Sequence, residues 1–259
     1  VSASGIHHRV DGPPGAPVVV LVNSLGTTLA MWDPQLPLLK RRFRVVRYDL
    51  PGHGGSAAPP GPYTIAELGA QLVALLDELG VERAHLCGLS IGGMISMWVA
   101  SHAPDRVDRL VLCSTSALLG PPEAWAARAE TVLSSGMSAI SDAVVGRWFS
   151  PGFAERNPAV VARMRAMIET ASPIGYAGCC RAIERMDLRP DLERIVAPTL
   201  VVVGADDPAT PPDHAERIVA GIPGSLLTVV RAAAHLVNVE QPERVGWMIG
   251  DHLAAEGPA

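Results

Sequence analysis

Ser90 lies in the segment His85-Leu-Cys-Gly-Leu-Ser-Ile-Gly-Gly93, with one glycine two residues before it and another two residues after it. Placed after a short apolar strand pattern and before a helix pattern, such a serine sits on a turn tight enough to lift its hydroxyl clear of a sheet. The helix that follows aims its N-terminal N–H groups at the same point, where they would stabilise developing negative charge. A serine hydroxyl is a weak nucleophile by itself. It needs a base within hydrogen-bond reach, and the base needs an acid to orient it. With the nucleophile on such a turn, the chain order is serine, then acid, then histidine. Gly204-Ala-Asp-Asp-Pro-Ala-Thr-Pro211 follows one later apolar run and Ala232-Ala-Ala-His235 follows the next. Spacing alone leaves Asp206 and Asp207 both open as the acid. Of eight histidines, only His235 has both the order and the strand-end position, whereas His53, in Pro51-Gly-His-Gly54, reads as part of a structural loop.

The elements that must carry these residues can be traced in the same chain. Val18 to Val22, Arg44 to Tyr48, Ala84 to Gly88, Leu110 to Cys113, Thr199 to Gly204 and Leu226 to Val230 read as strands. Runs apolar throughout suit strands buried on both faces of a parallel sheet. Helices must cover those faces. Ile65, Leu68, Leu72, Leu75, Leu76 and Leu79 mark one apolar stripe, opened by the capping box Thr64-x-x-Glu67 and stopped at Gly80. Further helices are expected over Ile91 to Ala103, Asp213 to Ala220 and Pro242 to Leu253. Between about Ala117 and Pro190 the strand signals stop, and four segments take helix spacing: Glu123 to Leu133, Met137 to Phe149, Pro158 to Ala171 and Tyr176 to Met186. Asn157-Pro158 reads as a helix start with Asn157 as the capping side chain. The organisation expected is a core from residues 1–116 and 191–259, interrupted by an all-helical lid at 117–190.

Composition narrows the chemistry. The chain has 259 residues, 48% of them apolar and 18% charged, enough to bury a core and too few charges for disorder. A net charge of −5 argues against nucleic acid as a partner, since no basic run exceeds Lys40-Arg41-Arg42. No apolar stretch is long enough to span a membrane, and Val1 to Gly15 lacks the order of a signal peptide, so a cytoplasmic protein is expected. Cys87, Cys113, Cys179 and Cys180 show neither metal-ligand spacing nor a disulfide framework, and read as buried reduced thiols. No clustered ligands or His-Glu-x-x-His segment call for a metal, and no cofactor is expected.

Several stretches then carry a specific resemblance. They are Asn23-Ser-Leu-Gly-Thr-Thr-Leu-Ala-Met-Trp-Asp33, Arg47-Tyr-Asp-Leu-Pro-Gly-His-Gly54, Pro60-Gly-Pro-Tyr-Thr64, Cys87-Gly-Leu-Ser-Ile-Gly-Gly93, Gly175-Tyr-Ala-Gly-Cys-Cys180, Asp206-Asp-Pro-Ala-Thr-Pro-Pro212 and Ala234-His-Leu-Val-Asn-Val-Glu-Gln-Pro242. Together they resemble the 3-oxoadipate enol-lactonases of the β-ketoadipate pathway, within the α/β-hydrolase fold. One departure is Ile91, where those enzymes are expected to have methionine. The resemblance implies a mostly parallel sheet flanked by helices, with a helical lid. It implies Ser90 as nucleophile, His235 as general base, and Asp207 rather than Asp206 as the orienting acid. It places the oxyanion-hole donors on the backbone N–H groups of Leu25 and Ile91. The implied substrate is a small lactone bearing a carboxylate arm, opened through an acyl-enzyme. Trp125 and Arg128, three apart on one helix face, resemble the corresponding lid helix, with Arg128 expected to bind the arm and Trp148 to form a wall. Another serine esterase, lactonase or perhydrolase on the same scaffold is the competing expectation, and a silent ligand-binding protein the remaining one.

Overall fold

The computed structural model describes residues 5–255; the outermost ends of the expected domain ranges, 1–4 and 256–259, lie outside the described residues. Seven strands form one sheet: β1 (His8–Asp11), β2 (Val18–Val22), β3 (Arg44–Tyr48), β4 (Ala84–Leu89), β5 (Val107–Cys113), β6 (Thr199–Gly204) and β7 (Leu226–Val230). Their spatial order is β1-β3-β2-β4-β5-β6-β7, and every pair is parallel except β1 with β3. The interior runs of β2, β4, β5 and β6 are buried almost residue by residue, as a sheet covered on both faces requires.

Two strands differ from the sequence expectation. β1 was not foreseen, because His-Arg-Val-Asp offers no apolar alternation. It is held instead by ladder hydrogen bonds and by Arg47 on β3, whose buried guanidinium reaches Asp11 at 2.9 Å and Asp33 at 2.7 Å. β7 is not the buried strand its apolar run suggested. It pairs only with β6, and as the sheet edge it leaves Leu226 62% exposed.

The helices follow in chain order: α1 (Leu36–Leu39), α2 (Ile65–Glu78), α3 (Ile91–His102), α4 (Pro122–Ser135), α5 (Ser138–Trp148), α6 (Pro151–Arg156), α7 (Pro158–Glu169), α8 (Pro173–Glu184), α9 (Pro212–Gly221), α10 (Val237–Glu240) and α11 (Pro242–Ala254). The stripe on α2 is buried at Ile65, Leu68, Leu72, Leu75 and Leu76. At its start, Thr64 Oγ1 accepts from the Glu67 N–H at 3.1 Å while Glu67 Oε2 accepts from the Thr64 N–H at 2.7 Å. At its end Gly80 takes φ +64, so that its N–H reaches the Asp77 carbonyl and that of Val81 the Leu76 carbonyl. This left-handed closing turn is one that glycine adopts without penalty. α3 is apolar nearly all round because it packs against α2 and the sheet at once.

Five helices, not four, lie between β5 and β6. The extra one, α6, spans Pro151–Arg156, a segment too short to show periodicity. Asn157 does not cap α7 with its side chain; its Nδ2 donates back to the Phe153 carbonyl at 3.0 Å and closes α6. α8 begins at Pro173 rather than at Tyr176, because Ser172-Pro173 supplies a proline at the first helical position and Gly175 does not interrupt it. All four cysteines are buried and unpaired. Among the described residues no helix is long and apolar enough to cross a membrane.

Replacing Thr64 by alanine leaves the Glu67 N–H of the first turn without its acceptor and removes the hydroxyl that donates to Glu67 Oε2. Thermal or urea unfolding should show a loss of about 1 kcal/mol, with hydrolytic activity unchanged because α2 lies away from the candidate site.

Candidate active site

Ser90 occupies the single residue between β4 and α3, and its backbone adopts φ 58, ψ −120. A non-glycine residue in that region costs ~1–3 kcal/mol and persists only where its surroundings hold it. Here the Ser90 N–H donates to the Cys113 carbonyl at 3.0 Å. The Ser90 carbonyl accepts from the N–H of Gly93 at 2.9 Å, the N–H of Met94 at 3.1 Å and the hydroxyl of Thr115 at 2.6 Å. The flanking glycines are a steric necessity. A Cβ on Gly88 would overlap the Gly92 carbonyl, and one on Gly92 would overlap the Val22 carbonyl of the neighbouring strand.

His235 and Asp207 leave adjacent strand ends and meet. The imidazole Nδ1 lies 2.9 Å from Asp207 Oδ2 and 3.2 Å from Oδ1. Asp207 also accepts from the N–H of Ala209 at 2.8 Å, the N–H of Thr210 at 3.0 Å and the Thr210 hydroxyl at 2.8 Å. Burial alone would raise this carboxyl, but the facing His235 and the two Thr210 donors outweigh it and hold the carboxyl below its usual range. Asp206 points outward and is exposed, while Asp207 is 3% exposed. A carboxylate bound to Nδ1 places the proton there and leaves Nε2 as the acceptor. Thr210 had no sequence signal beyond its place three residues after Asp207.

Ser90 and His235 open onto one cavity of about 270 Å³, at the small end of ligand pockets, and Leu25 lines the same space. Among the described residues no hydrogen bond engages the backbone N–H of Leu25 or of Ile91. The Leu25 loop is fixed from behind. Buried His53 accepts the Gly26 N–H on Nε2 at 3.0 Å, and its Nδ1 contacts the Pro51 carbonyl at 3.0 Å, which assigns the proton to Nδ1. Burial holds the His53 ring below the usual imidazole range, against the opposing pull of Pro51 and Asp49.

The far wall comes from the helical block. Trp125 and Arg128 on α4 and Trp148 at the end of α5 all line the cavity, with the Arg128 guanidinium 4.4 Å from the centre of the Trp125 ring. The structure adds Arg147 and Tyr176, which were not foreseen. Arg147 precedes Trp148, and Tyr176 stands in the Gly-Tyr-Ala-Gly stretch, but neither position repeats with a helical period. Burial, with the like charge of Arg128, pulls the Arg147 guanidinium down from its usual value. Burial pushes the Tyr176 hydroxyl up, opposed by both arginines. Among the described residues no carboxylate pairs with Arg128 or Arg147.

A serine on a strained turn beneath a helix N-terminus, sharing one cavity with a carboxylate-held imidazole at the ends of parallel strands, defines a class of hydrolase. The chain belongs to the α/β-hydrolase family, whose model matches residues 17–242. It is 39% identical to 3-oxoadipate enol-lactonase 2 of Acinetobacter baylyi, over 92% of this chain and 89% of that one. The crystal structure of the enol-lactonase from Burkholderia xenovorans LB400 superposes with a TM-score of 0.95 at 41% identity, covering 96% of each chain. A protein of Caulobacter sp. strain K31, provisionally named as the carbamate hydrolase RutD, is 30% identical over 98% of both chains.

Replacing Asp207 by asparagine should lower hydrolytic turnover by roughly 10³–10⁴-fold, through loss of the correct imidazole tautomer, whereas Asp206→Asn should leave it within a few-fold. The reverse order would place the acid one residue earlier. The folded-state pKa of Asp207 lies below the unfolded value of about 3.9. Its charged form therefore contributes stability that is present above that pH and lost as the pH falls through the lower, folded-state value. In urea titrations the stability difference between the wild type and Asp207→Asn should shrink below about pH 4; a difference independent of pH there would contradict the assigned carboxylate.

Proposed function

We propose that this hydrolase opens 3-oxoadipate enol-lactone to 3-oxoadipate through an acyl-enzyme on Ser90. In this reading His235 takes the serine proton and Asp207 orients it, while the N–H groups of Leu25 and Ile91 receive the developing oxyanion. Residues 117–190 act as a lid over the core formed by 1–116 and 191–259. The single observation that carries the substrate class is the pair of guanidiniums, Arg128 and Arg147, lining the same cavity as Ser90 without an acidic partner among the described residues. Two like charges facing one small, partly dry space are poorly compensated, and a substrate carboxylate relieves both. Similarity to two enol-lactonases supports the same choice.

The chemistry then needs no co-reactant besides water. Ser90 Oγ attacks the ring carbonyl and passes its proton to His235. Collapse of the tetrahedral intermediate breaks the ring C–O bond as the protonated His235 gives its proton to the departing oxygen, so that the enol leaves while remaining tethered to the acyl chain and the imidazole is again neutral. Tautomerisation of the enol to a ketone removes the nucleophile that would re-close the ring. Water, deprotonated by His235, releases the dicarboxylate and restores the serine. Preorganised backbone donors need no rearrangement as the oxyanion forms, and loss of one such donor typically costs ~10²–10³-fold in rate.

The test is the loss of enol-lactone absorbance on adding purified protein. Ser90→Ala should abolish it by several orders of magnitude with unfolding unchanged. Arg128→Ala and Arg147→Ala should each raise KM for the lactone about 10–100-fold, equivalent to a charged hydrogen bond of ~1.5–3 kcal/mol, while scarcely affecting p-nitrophenyl acetate. Equal losses on both substrates would mean that the arginines serve packing. Faster turnover of a neutral ester or a carbamate than of the lactone would overturn the substrate assignment and leave the serine mechanism standing.

A further inference from the structure

Glu240 is a buried carboxylate, 6% exposed, that has no part in the chemistry just described. It stands at the end of α10, five residues after His235. Its Oε1 accepts the Ser150 N–H at 2.5 Å, and its Oε2 accepts the Ser150 hydroxyl at 3.1 Å and the Ala234 N–H at 3.3 Å. Ser150 joins α5 to α6 in the helical block, and Ala234 immediately precedes His235. A second bond runs alongside, from the Leu236 N–H to the Trp148 carbonyl at 2.9 Å. The segment 148–150, which includes the Trp148 wall, is therefore fastened to the loop 234–236, which includes His235, on both sides of the imidazole.

We infer that Glu240 is a positioning residue that fixes the cavity wall and the base as one unit. The inference rests on the proposed roles of Ser90 and His235, and extends them to a residue no comparison assigns. A carboxylate suits this place because all three converging groups are donors, and a carboxylate offers only acceptors. Glutamine of the same shape has one acceptor oxygen and would turn its NH₂ toward an N–H. Burying an unneutralised carboxylate is costly, and burial does push the Glu240 carboxyl above its usual range, with the Ser150 and Ala234 donors acting against that rise. A residue needed merely to fill space here would be apolar.

The bridge can be cut from either end. Glu240→Gln removes it from the His235 side. Ser150→Pro removes it from the helical side: Ser150 has φ −65 and Phe149 has φ −127, ψ 146, values that proline and the residue before proline adopt. Proline deletes both Ser150 donors and, with its ring in place of the N–H hydrogen, turns the carboxylate away. The Ser150 carbonyl still accepts from Phe153 and Ala154. The readout is the rate at which a fluorophosphonate labels Ser90, forming the Oγ–P bond and expelling fluoride, a step that needs the serine and its base and no lactone. Each variant should label about 10–100-fold more slowly, the scale of a small misplacement of a catalytic group, and the double variant no more slowly than the singles, since one bridge is lost in all three. Thermal unfolding run in parallel identifies a variant that fails to fold, and the other then carries the comparison. Undiminished labelling in a folded variant, or additive losses in the double variant, overturns the inference. Failure of the wild type to label at Ser90 removes the nucleophile assignment itself, and this inference with it.

Discussion

The close approach of β2, β4 and α3 around Ser90 is the constraint on which the rest of the structure depends. The turn works only if the chain after the serine reverses into a helix within one residue, which forces the Gly92 backbone against the Val22 carbonyl and the Gly88 position against Gly92. Side chains are excluded at both places. The strain at Ser90 is offset by hydrogen bonds to Cys113 and Thr115 at the end of the neighbouring strand β5, so the serine is held by the sheet as well as by the first turn of α3. Because β2 ends beside the same turn, the segment that follows it brings Leu25 to the cavity that Ser90 lines, and His53 holds that segment through the Gly26 N–H.

Strand ends then do most of the assembly. In a parallel sheet all C-terminal ends lie on one edge, and β4, β6 and β7 deliver Ser90, Asp207 and His235 there in sheet order across β5. The aspartate needs its own fixing, because a carboxylate leaving a strand end can face solvent, as Asp206 does. The turn Asp207-Pro-Ala-Thr210 directs two N–H groups to Oδ1 and the Thr210 hydroxyl to Oδ2, the oxygen that also meets the imidazole, so the carboxylate is fixed at both oxygens.

The strands, the serine turn and the histidine were legible in the sequence because each leaves a local mark: an unbroken apolar run, a glycine spacing, a position after a run. α2 was legible to its last residue for the same reason, since its capping box and closing glycine are contiguous with the stripe. What escaped depends on contacts distant in the chain. β1 exists through Arg47 and its pairing with β3, and no four-residue window contains that information. The exposure of β7 is a matter of having no outer neighbour. Asn157 satisfied the local rule for a capping residue, but α6 ends on it, and the carbonyl of Phe153 competes for its side chain. Arg147 and Glu240 are single charged residues whose surroundings are assembled by helix packing.

The helical block matters to the site through polarity more than through bulk. The core side contributes neutral or mutually compensated groups: a hydroxyl, backbone N–H groups and an imidazole already matched to its carboxylate. The two guanidiniums come from α4 and α5, held beside the Trp125 and Trp148 rings and the buried Tyr176 hydroxyl. In the proposed reading, reaction machinery and charge recognition are carried by different parts of the chain, and their relative placement has to be fixed by contacts that cross between them. Apolar packing alone defines such a placement loosely, because it is non-directional. Directional bonds are needed at the seam, and they are found where α5 ends against the His235 loop, at the point where an error in either part would be felt by both.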